Sequence, residues 1–269
     1  MRAVLPQGER GRPMKVEEYF KGEETAVRHC PVRSECPIGT LCGTAQAEGQ
    51  APLYPTMTEI EPGELVWVDL RYEQRVLSIR KGVFACITDL NQENEAPFSL
   101  CGAGNLTGLA ELYIQREFTS TYYLRALTPA TVCSFSAKSL RHRLEELPSA
   151  SSHKILSCTL MNLMVAAYSQ SRVMANMRLY DRIVAMLVRL KELCLRDGEG
   201  LRPISLTHGD VAALVASDRA SVTRALHKIE QEGLVELGYR SLTPTPAIDQ
   251  VAPRFAAVQT ALHIPTLVD

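Results

Sequence analysis

The chain has 269 residues, 46% of them hydrophobic and 22% charged, with 29 Lys and Arg against 30 Asp and Glu. That composition excludes wholesale disorder, and the length suggests about two domains. A net charge of −1 excludes a basic coat for packaging bulk nucleic acid or lying on a membrane, yet leaves room for a locally basic reading head.

The longest apolar stretches, such as residues 160–167 with Asn162 inside, fall short of the roughly 18 residues that a membrane span needs. Met1–Met14 carries Arg2, Arg10 and Arg12 but no apolar core of an export signal. A cytoplasmic location is expected. There, eight cysteines read as buried hydrophobes mixed with metal or redox ligands rather than as a disulfide frame.

In chain order, residues 1–49 are read as an arm carrying a cysteine loop. Its core is His29-Cys30-Pro-Val-Arg-Ser-Glu-Cys36-Pro-Ile-Gly-Thr-Leu-Cys42, where prolines and Gly39 argue for a loop wrapped around something. Residues 50–148 hold short, β-like runs. They are Leu65–Asp69, Val76–Ile79, Val83–Ile87, Phe98–Cys101, Tyr122–Ala126 and Thr131–Phe135, punctuated by Pro62-Gly63, Lys81-Gly82 and Thr128-Pro129. Their spacing predicts an antiparallel sandwich or barrel. Ser136 then caps a helix over 137–147, which Pro148 closes.

Residues 149–177 form the longest periodic segment. Leu156, Leu160, Leu163, Ala167, Gln170, Met174 and Met177 follow one another at 4-3-4-3-4-3 spacing, a heptad seam with one polar seat. Periodicity alone fits equally a helix that pairs with another helix and an ordinary core helix. Asn176–Arg178 reads as a hinge before a helix over 180–195. Residues 178–245 hold three helical patterns and a small strand pair, and 246–269 is read as a Pro- and Ala-rich tail.

Within that unit, Thr207 caps a short helix with Val211 and Leu214 facing inward, Val215-Ala-Ser217 is a tight turn, and Ser217 or Asp218 caps a second helix from Arg219 to about Gln231. Val222, Leu226 and Ile229 share one face, while Arg219, Ser221, Arg224 and Lys228 point away from it. This register predicts a helix-turn-helix whose second helix enters the major groove, followed by a wing opening at Gly233-Leu-Val. An arginine near the start of such a helix can read guanine N7 and O6 bidentately, while hydroxyls and amines further along meet phosphates. With Thr207 and Thr223, these residues make the candidate DNA-contacting set.

The strand-rich segment, the Gly102-Ala-Gly-Asn-Leu-Thr-Gly108-Leu-Ala-Glu-Leu112 turn, the long helix and the winged helix-turn-helix together resemble the CRP/FNR family of transcription regulators, in unbroken order over residues 50–245. The resemblance implies an α+β chain: a cyclic-nucleotide-binding-like antiparallel β-barrel (jelly roll), a long dimerisation helix and a C-terminal winged helix-turn-helix. It also implies a homodimer on double-stranded promoter DNA, with RNA polymerase as a further partner. Leu156, Leu160, Leu163, Ala167 and Met174 would then form the dimer seam.

Members that resemble the cyclic-AMP receptor follow the Gly108 position with Glu and later place Arg-Ser on the phosphate. Here Leu109 and Ser120-Thr121 stand instead, so no cyclic nucleotide is expected. Cys36-Pro-Ile-Gly-Thr-Leu-Cys42 is similar to the last two ligands of the iron–sulfur loop in the oxygen-sensing FNR branch, and Cys133 falls at its fourth ligand. That similarity implies a 4Fe–4S cluster on Cys30, Cys36, Cys42 and Cys133. One departure stands out: the first pair is spaced C-x5-C here and C-x2-C in the family, a gap that five loop residues can bridge.

Structural zinc and a metal-free thiol/disulfide switch remain as alternatives. Cys86 and Cys101 are read as buried hydrophobes or a switch pair, and Cys158 and Cys194 as core. No pair of the six histidines stands at ligand spacing. By register Ala220 replaces the Glu that most family members use to read the half-site, which removes an acceptor for a cytosine amine. G-x-S-x-G, P-loop and H-E-x-x-H motifs are absent, so no enzyme is expected.

Overall fold

The computed structural model describes residues 30–43, 53–68, 75–89, 95–108, 122–196 and 198–255. The arm before Cys30, most of the 43–52 linker, Leu109, Ser120-Thr121 and everything past Phe255 lie outside the described residues.

Among the described residues eight strands make two facing antiparallel sheets. One has the order β1 (Thr56–Ile60), β8 (Ala130–Ser136), β3 (Arg75–Lys81), β6 (Leu106–Thr107), and the other β2 (Leu65–Val68), β7 (Tyr122–Ala126), β4 (Val83–Asp89), β5 (Glu95–Gly102). This is the antiparallel sandwich that the strand spacing predicts, in the jelly-roll form that the family resemblance implies. Strands β1 and β6 were not foreseen. Thr56–Ile60 has no strong apolar alternation, and β6 is two residues long.

Period-2 alternation sorts the residues between layers. Leu77, Ile79 and Val132 look inward, with Phe84, Leu124 and Ala126 of the opposite sheet, and fill the space between the sheets. The alternate positions Val76, Cys133 and Phe135 look outward and pack on Ile38 and Leu41 of the cysteine loop and on α1 (Ala137–Glu146). Ser136 caps α1 by accepting from Ser139 N. Gly82 turns the β3–β4 hairpin at φ +93°, where a Cβ would stand 2.4 Å from that of Ala130.

The outer face of the second sheet (Val83, Ala85, Ile87 and Tyr123) packs on α3 (Leu179–Arg196), and this core runs on into the C-terminal unit. Between α1 and α3 lies α2 (Ser149–Asn176), 28 residues long, which breaks at Met177, the hinge position. No helix among the described residues is long and apolar enough to cross a membrane.

The seam of α2 is divided. Leu160 and Leu163 are about half exposed (48% and 50%), Ala167 is exposed, and the neighbouring Met161, Met164 and Tyr168 add to the same open apolar surface. Leu156 instead packs toward the cysteine loop, and Met174 toward the core around α3. The polar seat is also engaged inside the chain, since Gln170 Nε2 donates to Leu214 O at 3.3 Å. The unpartnered seam therefore runs from Leu160 to Tyr168, shorter than the heptad count predicts.

The C-terminal unit comprises α4 (His208–Leu214), α5 (Arg219–Gln231) and the hairpin β9 (Val235–Gly238)–β10 (Ser241–Pro244). Val222, Leu226 and Ile229 are fully buried, as the spacing predicts. Truncating Leu226 to alanine is expected to cost about 2–5 kcal/mol, seen as a fall in the urea midpoint at unchanged slope. The tail differs from expectation. Two 3-10 turns over Pro246–Gln250 and Ala252–Phe255 bury Ile248 and Phe255 in this core. Turns of that kind leave no 3.6-residue signature to read.

Candidate nucleic-acid interface and thiol site

The reading head is built from its caps. Thr207 Oγ1 accepts from Asp210 N (3.1 Å), and Asp210 Oδ2 accepts in return from Thr207 N (2.8 Å), a full capping box at the start of α4. Asp218 Oδ1 accepts from Ser221 N (2.8 Å) and starts α5. Between the helices Ala216 takes a left-handed φ of 48°, tightening the turn. Arg182 Nη1 on α3 donates to Val215 O (2.8 Å) and Ala216 O (3.3 Å) and pins that turn.

On the open face of α5, Arg219, Arg224 and Lys228 are exposed. Arg224 Nη2 donates to Ser221 Oγ (3.0 Å), which holds the guanidinium along the helix. Lys228 lies over the Tyr180 ring at 5.3 Å, so its ammonium is held back toward α3. Thr223 Oγ1 donates to Arg219 O (2.8 Å) and sits 3.0 Å from His208 Nδ1.

Sequence spacing missed one pairing: His208 of α4 and His227 of α5 meet edge to face, ring centroids 6.2 Å apart. Burial, with His227 and Arg219 nearby, lowers the His208 pKa. Nothing local could reveal this pair, since its members stand on different helices with a turn between them. At the tip of the hairpin Tyr239 is 92% exposed beside Arg240, which has φ +52°.

The reading head is docked to the β layers. Arg125 Nη2 of β7 pairs with Asp210 Oδ1 at 2.5 Å, and Ser205 N donates to Leu127 O at 2.8 Å. Burial would raise the Asp210 pKa, but hydrogen bonds from Arg125 and Thr207 outweigh it and the pKa is lowered.

The second site lies on the outer face of the other sheet. The loop 30–43 is a chain of short turns, with Cys36 N and Glu35 N bonded to Val32 O and Cys42 N to Ile38 O. Val32, Ile38 and Leu41 are its buried anchors. Arg33 ties its ends together, donating from Nε to Gly39 O (3.2 Å) and from Nη2 to Cys42 O (2.9 Å). Gly39 is required here, because a Cβ would stand 1.9 Å from Arg33 O.

This folding lays the loop over β8 and β3. Cys36 Sγ is 3.3 Å from Ser78 Oγ, and Ser78 is the cross-strand partner of Cys133. Cys30, Cys36, Cys42 and Cys133 all lie within one another's electrostatic reach, and none is in a disulfide. Burial first, then the neighbouring thiols, push Cys42 to about 11 and Cys133 to about 12, against the opposing fields of Arg33 at Cys42 and of Arg80 at both. Four thiols this close cannot all ionise without a compensating positive centre.

Among the described residues no three Cys, His, Asp or Glu side chains converge as ligands of one metal ion. An all-sulfur donor set with two arginines nearby fits an iron–sulfur cluster.

Cys194 is fully buried, and the Cys158 side chain lies outside what the structure describes. Cys86 and Cys101 touch, Sγ to Sγ 3.6 Å, between the sheets. Each other's proximity and burial raise the Cys101 pKa.

Residues 181–244 match the Crp-like helix-turn-helix domain. Over 101 residues the chain is 33% identical to the transcriptional regulator SdrP of Thermus thermophilus, covering 36% of this chain and 50% of SdrP. The match thus spans half the length of that curated relative. Among solved structures, TTHB099, a CRP-family transcriptional regulator also from Thermus thermophilus, superposes with a TM-score of 0.54 at 17% identity, over 76% of this chain and 96% of that one. FixK2 of Bradyrhizobium japonicum superposes with a TM-score of 0.55 at 13% identity, over 75% and 97%. These likenesses establish the fold, from the jelly-roll layers through the long helix to the winged helix-turn-helix.

Proposed function

We propose that this chain, which carries a Crp-like helix-turn-helix domain on a CRP/FNR-type fold, is a homodimeric, sequence-specific transcription regulator. It senses oxygen, nitric oxide or redox state through a 4Fe–4S cluster held by Cys30, Cys36, Cys42 and Cys133. The observation that carries this reading is the gathering of the three loop thiols with Cys133, distant from them in sequence, over one sheet face. When bound, the cluster supplies a centre that oxygen or nitric oxide converts or strips.

The chain's own residues link that face to dimerisation. Ile38 and Leu41 of the loop share one core with Ile155 and Leu156 at the start of the seam helix. Loop packing and helix position therefore shift together, and a regulated change requires the two arrangements to differ in how well they hold the loop. The paired helices set the two α5 helices about one DNA turn apart. Arg219 and Arg224 then face base edges, with Thr207, Ser221, Thr223 and Lys228 toward the backbone.

Two measurements test the reading. Anaerobically purified protein should be brown, with about four irons and four sulfides per chain. Selection from random duplexes should enrich a two-fold symmetric site that departs from the family's usual half-site at the position faced by Ala220. A colourless anaerobic protein that still binds DNA in a regulated way overturns the sensing half. Failure to enrich any site overturns the DNA-reading half.

One observation favours a second reading, a metal-free thiol switch: the contact between Cys86 and Cys101. Counting thiols before and after reductant separates the two, since only the switch predicts a gain of two thiols per chain in iron-free protein.

A further inference from the structure

Two histidines stand where the first helix of the reading head meets the second. His208 opens α4 directly after the cap Thr207, and His227 lies on α5 beyond Ala220 and Thr223. Helical spacing puts Ala220, Thr223 and His227 on one side of α5, away from the buried Val222, Leu226 and Ile229. His227 is exposed and His208 half-buried.

Hydrogen bonding fixes the tautomer of each ring. Thr223 Oγ1 donates its one proton to Arg219 O (2.8 Å), so toward His208 Nδ1, at 3.0 Å, it accepts. Glu230 Oε2 is 3.3 Å from His227 Nδ1, and a carboxylate likewise accepts. Both rings therefore carry hydrogen on Nδ1 and leave Nε2 as the basic nitrogen. On taking up a proton, each Nε2 turns from an acceptor into a charged donor.

The free chain opposes that change. Burial disfavours the His208 cation first, then His227 and Arg219, against the pull of Glu230, and His208 is held below the ordinary histidine range. The three facing groups all belong to α5. Glu230 is itself shared, because its Oε1 accepts from Leu237 N of the hairpin (3.2 Å). On α4, Asp210 is engaged by Thr207 and by Arg125 of β7. The rings meet edge to face with centroids 6.2 Å apart, so a charge on one repels a charge on the other.

An anion beside the pair reverses this balance. In a helix-turn-helix the first helix crosses the DNA backbone while the second enters the groove. Thr207 and Thr223, two of the residues assigned above to the backbone, lie on either side of His208. We propose that His208 and His227 form a phosphate seat of the reading head, which takes up a proton from solvent at Nε2 as a DNA backbone phosphate docks, so that duplex binding tightens as pH falls. This seat presupposes the DNA-reading function proposed above and adds a proton-linked contact to it. Because the bound state favours the imidazolium, the added affinity is complete below the titration of the free chain. It is lost as pH rises through that of the complex.

Fluorescence anisotropy of the full chain with the duplex enriched from random sequence, at fixed salt and with a chelator present, tests the seat. Binding should be at least about tenfold tighter at about pH 6 than at about pH 8. The salt dependence should also steepen at the lower pH, by about one released counterion per subunit. The double variant His208→Gln, His227→Gln should bind at the higher pH as wild type does and lose both pH effects. In wild type, the imidazole NMR signals of both residues should titrate at higher pH with the duplex than without it. Equal affinity at both pH values, tightening that the double variant retains, or imidazole titrations that do not move upward would each overturn the seat and leave DNA reading intact. No enriched duplex, or none bound at either pH, overturns DNA reading and the seat with it.

Discussion

Replacing Cys133 by serine is expected to leave anaerobically purified protein colourless, with iron falling from about four per chain to near zero. Cys133 is the one member of the quartet supplied by a strand rather than by the loop. It is 7% exposed, sits between Met57 and Ser78 in the ladder, and lies within reach of all three loop thiols. Serine keeps nearly the same volume, so the β8 ladder and the contacts with Ile38 and Leu140 survive. What is lost is a soft thiolate ligand, for which a hydroxyl is a poor substitute. The matched control is Cys101→Ala, which removes a thiol from between the sheets and should leave both colour and iron unchanged. A serine variant that stays brown, with full iron, would remove Cys133 from the ligand set.

The second large effect belongs to the open face of α2. Glutamate at both Leu160 and Leu163 is expected to give a folded monomer by light scattering and to weaken binding to a two-fold operator at least about a hundredfold, because the second half-site contact is no longer intramolecular. The two leucines are half exposed in the single chain, and Met164 and Tyr168 beside them are 66% exposed. An apolar stripe of this kind along a long helix marks a contact surface. Charges placed there cost the isolated chain little, yet they would stand buried and opposed across a two-fold axis. The urea midpoint of the monomer should therefore stay close to that of wild type under dissociating conditions. A double variant that remains dimeric would move the interface elsewhere.

How much could be read beforehand follows the range of the interactions. The α5 helix begins at Arg219 and ends at Gln231 where capping and periodicity place it, because both are local rules. The strand runs were visible for the same reason, apart from β1 and β6. Contacts made only by folding were not visible: the meeting of His208 with His227, the docking of Arg125 on Asp210, and the capture of Gln170 by Leu214. Gln170 is instructive. Spacing made it the one polar seat of a heptad seam, and the fold gives its amide a partner within the chain, Leu214 O, while the residue stays exposed.

At the thiol site, residue types and a family likeness pointed to the four cysteines. The convergence itself came from turns anchored by Val32, Ile38 and Leu41, and from the crosslink made by Arg33.

Asp210 does two things with one carboxylate. Oδ2 closes the capping box with Thr207, and Oδ1 holds Arg125 across the domain boundary. Because the two tasks use different oxygens, letting go of Arg125 does not uncap α4. One carboxylate thus fixes both where the first helix of the reading head starts and where that start meets the β layers, beside the hydrophobic core that the two share.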